Sequence, residues 1–446
     1  MTDSQPVKME KDLSAVADVQ IPESEALAQK GKVSEALEIL LVLEKQTRSG
    51  ADLASNTRVL IQILRILFNA KDWKGLNEHI VLLSKKHGLL KQAITKMTQE
   101  AMTFIDKTPD EKTKLELIDT LRVVTEGKIY VEVERARVTR LLVKIKEDAG
   151  NISDAADILH ELQVETFGSM ERREKTDFIL EQMRLCLAKK DYNKVQLISK
   201  KVSQKFFDLP ENQDLKLRYY ELMIQHAVHS DQSLNACKYY RRIYDTPSVQ
   251  EDEQKWTEAL RFVVLFIILS PYDNEQSDLI HRINEDKNLA KLAPYKELIK
   301  CFTTDELMRW SKITEIYGTL LRNAYIFQAS TEDGERRWKL LHDRVVEHNI
   351  RVISKYYTRI STKRATELLD LPVKDVEEFL SKMVVSKTIY ARIDRSAGVI
   401  SFVARKDPNA VLNDWSNNIN QLLELIDKCG HLIAKEEMVY SITKTV

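Results

Sequence analysis

Nine histidines, four cysteines and 68 acidic residues supply raw material for catalysis or metal binding in this 446-residue chain. Their spacing assembles neither. His226 and His229 stand one helical turn apart, a spacing at which two imidazoles can share a metal, but no third ligand accompanies them. His342-Asp-Arg-Val-Val-Glu-His348 has the wrong spacing for an inverted zinc-protease motif, and neither His-Glu-x-x-His nor His-x-His occurs. There is no Gly-x-x-x-x-Gly-Lys-[Ser/Thr] or Gly-x-Gly-x-x-Gly cradle for phosphate and no Gly-x-Ser-x-Gly nucleophile elbow. Cys186, Cys237, Cys301 and Cys429 are scattered without a Cys-x-x-Cys. That pattern fits reduced thiols used as small core or seam residues in an intracellular compartment. No catalytic residue, cofactor or metal is expected.

The spacing that does carry meaning is apolar and lies at the C-terminal end. Two short helical runs, Thr362 to Leu369 and Val373 to Val384, lead into Thr388 to Asp394, a turn at Gly398, and Val399-Ile400-Ser401-Phe402-Val403. Helix, helix and β-hairpin in that order predict a winged helix. Beyond Pro408, Leu412, Trp415, Ile419, Leu422, Ile426, Cys429 and Ile433 alternate steps of three and four, a heptad seam. So narrow a stripe suits packing against other helices better than covering a globular core. Winged helices commonly read DNA with the second helix. Here that helix carries Asp375, Glu377 and Glu378 against Lys374 and Lys382 and lacks Arg, Asn and Gln. It would meet phosphates with the wrong charge and no base-reading side chains, so nucleic acid is not an expected partner. The strand Val399 to Val403 is expected at an edge of the hairpin, where unpaired backbone groups invite a partner strand.

The rest of the chain must position that module. Lys and Arg equal Asp and Glu, 68 against 68, so no global field favours nucleic acid or anionic membrane. Eleven Gly and nine Pro leave little turn chemistry for a many-stranded protein, and the chain reads as all-α. The N-terminus lacks the basic and apolar regions of a signal peptide, and the longest apolar run, Phe262 to Leu269, is too short to span a bilayer. A soluble, non-secreted protein is expected. A polar turn, an apolar residue and a small or aliphatic residue three positions on recur as Val33/Ala36, Trp73/Leu76, Ile152/Ala155 and Tyr192/Val195, with a weaker copy at Ser233/Ala236. The period of about 40 is that of stacked helical hairpins. A degenerate copy is expected after Pro109-Asp-Glu-Lys. Trp73 and Tyr192 are read as wedges between hairpins rather than surface anchors. Trp256 to Leu269 should be a central buried helix, Thr304-Asp-Glu-Leu-Met should open a helix by its N-cap, and Glu335 to Ile360 should form one long helix.

Several stretches resemble the proteasome non-ATPase regulatory subunit 12 family of PCI-domain proteins. They are Leu40 to Arg48, Leu83 to Gly88, Arg122 to Arg137, Ala155 to Ser169, Leu269-Ser-Pro-Tyr272, Glu306-Leu-Met-Arg-Trp310 and Glu347 to Tyr357. The resemblance begins near residue 25 and carries nothing over to the polar, aperiodic start of the chain; the two together give four parts. Residues 1–21 are expected disordered or loosely attached, 22–334 form a curved TPR-like solenoid including the helical half of the PCI domain, 335–405 its winged-helix half, and 406–446 a C-terminal helix for bundle assembly. It implies a non-catalytic scaffold in the lid of the 26S proteasome regulatory particle, in cytoplasm and nucleus. Partners would be other lid subunits, PCI and MPN proteins including the deubiquitinase, with contacts to the ATPase ring and 20S core. Leu412, Trp415, Ile419, Leu422, Ile426, Cys429 and Ile433 would join a common helical bundle, and Val399 to Val403 would face a neighbouring PCI subunit. Two relatives remain as alternatives. A COP9 signalosome subunit 4-like scaffold shares the architecture, and an initiation-factor-3-type PCI protein would bind RNA, against which the neutral charge argues.

Overall fold

The computed structural model describes residues 13–86, 88, 90–403 and 407–444. By contact the chain divides into two units, 1–231 with 245–251, and 232–244 with 252–446. The first holds α1 (Ser14–Gln29), α2 (Val33–Ser49), α3 (Leu53–Asn69), α4 (Trp73–Lys85), α5 (Lys91–Phe104), α6 (Glu111–Thr125), α7 (Glu132–Asp148), α8 (Ile152–His160), α9 (Arg172–Ala188), α10 (Tyr192–Ser199) and α11 (Gln213–His229). Every predicted repeat anchor is the first residue of a helix. Two residues before each lies a left-handed backbone: Gly31, Lys71, Gly150, Lys190 and, before Ser233, Asp231. The next N–H reaches back five residues, as in Lys32 to the Leu27 carbonyl (3.2 Å) and Asp191 to the Cys186 carbonyl (2.9 Å). This is the Schellman closure, which satisfies an orphan carbonyl and starts the next helix without a loop. The residue three positions on, Ala36, Leu76, Ala155, Val195 or Ala236, is fully buried. The degenerate copy is α6, which starts on schedule at Glu111. Its turn uses Pro109 in place of a left-handed residue, so its pattern differs.

Trp73 packs edge-on against Phe68 (5.5 Å), and Tyr192 stacks on His229 (3.6 Å). Both wedge helices together, and His229 spends its ring face on Tyr192. The charged block from Arg122 to Arg137 ties one repeat to the next. Arg137 makes a two-pronged pair with Glu174 (2.8 and 2.9 Å), Arg122 meets Glu161 (3.2 Å), Gln99 donates to Glu134 (2.8 Å), and Lys128 donates to the Ser84 carbonyl (3.2 Å). A second chain links α7, α9 and α11: Arg140 to Asp177, Asp177 to Arg218, Arg218 to Glu181, Glu181 to Arg184, and Arg184 to Glu147. Single exposed pairs contribute little, but every member of this second chain except Arg140 at its end is held by two partners or bidentately, which fixes repeat register.

The second unit contains α12 (Ser233–Tyr244) and, after α13 (Pro247–Gln250) of the first unit, α14 (Glu253–Leu269), α15 (Asn274–Asn284), α16 (Ala293–Thr303), α17 (Trp310–Arg322) and α18 (Glu332–Tyr356). The winged helix follows as β1 (Arg359–Ser361), α19 (Thr362–Leu369), α20 (Val373–Val385), β2 (Arg392–Asp394) and β3 (Val399–Ser401), and the chain ends in α21 (Pro408–Lys444). Helix α14 is the expected central helix, buried from Val263 to Leu269.

Three expectations need correction. Among the described residues regular structure begins at Ser14, not Pro22; residues 14–21 are helical and Pro22 sits inside α1, where Ala17 and Ser24 are fully buried. Residues 1–12 lie outside the described residues. Thr304 does not cap a helix, because the Asn349 amide holds the following segment extended: Met308 N–H donates to Asn349 Oδ1 (2.8 Å) and Asn349 Nδ2 donates to the Met308 carbonyl (2.7 Å). Helix α18 stops at Tyr356, and the last residues assigned to it form β1 instead.

His348 is 4 % exposed beside Arg351, and its Nε2 lies 3.3 Å from the Glu306 carbonyl. Burial, then the Arg351 charge, pushes its pKa down to about 4. The folded state therefore favours the neutral ring. Its contribution is complete above about pH 6.5 and is lost as pH falls toward 4, by on the order of 3 kcal/mol over that whole window. Thermal unfolding of wild type and His348→Gln between pH 7 and 5 checks this: wild type should lose stability and the variant should be flatter.

At Lys190 a side-chained residue occupies a left-handed conformation (φ 65°), at a cost of about 1 kcal/mol. Lys190→Gly should raise the melting temperature slightly. Ala155→Leu should lower stability by about 1–3 kcal/mol through overpacking. Calorimetry of the two variants reads both signs.

Candidate assembly surfaces

The winged helix is built on the end of α18. Val346, Ile350 and Ile353 pack with Ile360, Ala365, Leu369, Val376, Leu380, Met383 and Ile400 into one core. Alternation is visible even in three-residue strands: Ile360 and Ile400 point inward, flanked by exposed or half-buried neighbours. The sheet has the order β1-β3-β2, antiparallel throughout, with Ile400 opposite both Ile360 and Ile393. This overturns the reading of Val399 to Val403 as an edge. Val399, Ile400 and Ser401 form the central strand. Phe402 continues alongside, its N–H donating to the Thr358 carbonyl (3.0 Å), and exposed Val403 lies past the strand. The edges are β1 and β2. The sequence hid this because β1, three residues after a long helix, was absorbed into that helix. The alternation in Arg359-Ile360-Ser361 was the available signal.

Helix α21 presents the second surface. Its seam lies bare, with Trp415 63 %, Leu422 58 % and Ile433 60 % exposed and Leu412, Ile419, Ile426 and Cys429 also solvent-facing. A third column, Val411, Leu425, Leu432 and Val439, runs beside the two heptad columns, broken only by Asn418. The apolar face is thus wider than the alternating three-and-four steps alone define. The structure does not bring the seam to the winged-helix sheet; these are separate surfaces.

Among the described residues there is no group of three or more His, Cys, Asp or Glu placed to hold a metal, and no helix long and apolar enough to cross a membrane.

Comparison with known proteins assigns these parts. Residues 35–252 match the family model "PSMD12/CSN4, N-terminal", residues 294–403 the PCI domain, and residues 409–441 the "26S proteasome regulatory subunit RPN5 C-terminal domain". The chain is 50 % identical over 410 residues to the 26S proteasome regulatory subunit rpn501 of Schizosaccharomyces pombe, covering 92 % of this chain and 93 % of the relative. It is 45 % identical over 444 residues to the 26S proteasome regulatory subunit RPN5 of Saccharomyces cerevisiae, covering 99 % of each. The 26S proteasome non-ATPase regulatory subunit 12 of Dictyostelium discoideum is 46 % identical over 435 residues, covering 98 % and 96 %.

The chain belongs to the RPN5/PSMD12 family of 26S proteasome regulatory subunits.

The N-terminal model spans both PSMD12 and CSN4, so by itself it leaves the signalosome relative open. The RPN5 C-terminal model separates them, and its match falls on α21. The RPN5/PSMD12 signature therefore coincides with the bare helix, and the PCI match ends at Val403, two residues past the central strand.

Because Ile400 is paired on both sides and 1 % exposed, Ile400→Pro should break the sheet itself and not merely block an edge. Limited proteolysis of the isolated chain should show new cleavage within 335–403. Unchanged protection there would restore the edge reading.

Proposed function

We propose that this protein is a non-catalytic scaffold subunit of the lid of the 26S proteasome regulatory particle, organising neighbouring lid subunits for ubiquitin-dependent protein degradation. The observation that carries the reading is α21: 37 residues of helix with a three-column apolar face left in water. A patch of that size marks a protein-interaction surface, and a lone amphipathic helix gains its stability from packing. Three apolar columns suit more than one neighbouring helix, so α21 is a strand of a multi-subunit bundle in a hetero-oligomer rather than one half of a homodimer zipper.

The winged-helix sheet supplies the second contact. Its exposed strands are β1 and β2, each short enough to leave the other side of its ladder open to a neighbouring PCI subunit by strand addition. Val399, Ile400 and Ser401 serve this contact from the centre, by holding both edges in register. The partners are PCI and MPN subunits of the lid, including the deubiquitinase, with contacts to the ATPase ring and 20S core, in cytoplasm and nucleus. The neutral charge and the acidic α20 support a protein-binding role without nucleic acid. The match over residues 409–441 favours the proteasome over the COP9 signalosome.

Leu422 and Ile426 are exposed in the free chain, so Leu422→Asp with Ile426→Asp should leave its folding stability within about 0.5 kcal/mol of wild type while abolishing co-purification of lid subunits. Truncation after Asp407 should do the same. Equal recovery of proteasome subunits with either variant overturns the bundle role of α21.

A further inference from the structure

Three of the sequence blocks singled out at the start, Leu269 to Tyr272, Glu306 to Trp310 and Glu347 to Tyr357, converge in the second unit. Arg344 Nε donates to the Leu269 carbonyl (3.1 Å), Asn349 clamps Met308, and His348 meets the Glu306 carbonyl. Beside this junction lies a mainly polar cavity of about 110 Å³ whose walls include Tyr272, His281, Asp305, His348, Arg351 and Lys355.

Arg351 is the unexplained group there. Its guanidinium carbon sits 3.9 Å from the centroid of the Tyr272 ring, and among the described residues it has no hydrogen-bond or carboxylate partner. Every nearby charge is otherwise committed. Asp305 is paired with Lys355 (2.7 and 2.8 Å), and Glu347 with Arg344 (2.6 Å). Stacking uses the face of a guanidinium and leaves its in-plane N–H donors available, the geometry that grips a carboxylate with two parallel bonds. Leaving such a fork without a protein partner is otherwise costly in a partly buried site.

We propose that this cavity receives one carboxylate, presented by an acidic side chain of a partner polypeptide. Size and charge select that ligand. The space is small, with room for a carboxylate and its methylene together with a few waters. The uncommitted charge is a single positive one, matched by a carboxylate. A phosphate dianion brings a second negative charge that Arg351 leaves unmatched, beside the Asp305 carboxylate on the same wall. His348, held neutral by burial, adds no competing charge. The carboxylate site stands on the geometry alone; only its assignment to a partner chain rests on the scaffold reading.

The test is the rate of phenylglyoxal modification of Arg351 in the full-length chain, read by peptide mass spectrometry with exposed Arg392 as internal reference. At matched ionic strength, acetyl-Gly-Glu-Gly-amide should slow modification of Arg351 several-fold and leave Arg392 unchanged. Acetyl-Gly-Gln-Gly-amide and inorganic phosphate should not protect. Equal rates with the Glu and Gln peptides, or protection by phosphate as strong as by the Glu peptide, overturn the carboxylate site. In the purified lid complex, Arg351 should be modified several-fold more slowly than in the free chain. Modification at the free-chain rate in a complex that has formed overturns the partner assignment alone. Failure of the scaffold reading is seen separately, as failure of the chain to co-purify with lid subunits.

Discussion

The Asn349 amide both donates to and accepts from the backbone of Met308, and this pair of bonds holds the second unit's non-helical segment in place. A buried peptide unit with no ladder partner would leave a donor and an acceptor unmet. A side-chain amide, with one of each, supplies the missing strand. Asn349 can do so only because α18 is fixed on its other faces. It packs against α14, with Arg344 donating to the Leu269 carbonyl, and Val346, Ile350 and Ile353 form the floor of the winged helix. One helix therefore sets the position of the extended segment, the sheet and the cavity at Arg351.

The repeat anchors were legible because each compresses a whole closure into six residues: a left-handed position, a helix start and a buried small or aliphatic side chain. Nothing distant has to be known to see it. The buried α14 and the seam of α21 were legible for the same reason, since periodicity is local. What escaped notice depended on partners far along the chain. Thr304 has the right side chain for an N-cap, and nothing in its neighbours announces an asparagine 45 positions later. Strand β1 spans three residues, too few for alternation to stand out after a long helix, and missing it turned a central strand into an apparent edge. Pro22 misled in the opposite way. It marks helix starts often enough to be read as one, whereas here α1 runs through it and buries Ala17 and Ser24 on either side.

The candidate surfaces divide along the same line. The seven seam residues of α21 were readable one by one, but the third column at Val411, Leu425, Leu432 and Val439 was not, because a heptad search looks for the narrowest stripe. The charged block Arg122 to Arg137 gave no role in sequence. Its partners, Gln99, Glu161, Glu174 and Ser84, lie about one repeat away on either side, so its meaning exists only once the hairpins are stacked.

A helix with its apolar face in water also has a bearing on supply. Any copy made in excess of its neighbours carries an adhesive surface of leucine, isoleucine and tryptophan with no legitimate occupant, and at high concentration such surfaces find one another. The free chain is thus the form most exposed to aggregation and to clearance. Synthesis in step with its neighbours becomes a physical requirement of the design, imposed by α21 before any regulation of expression is considered.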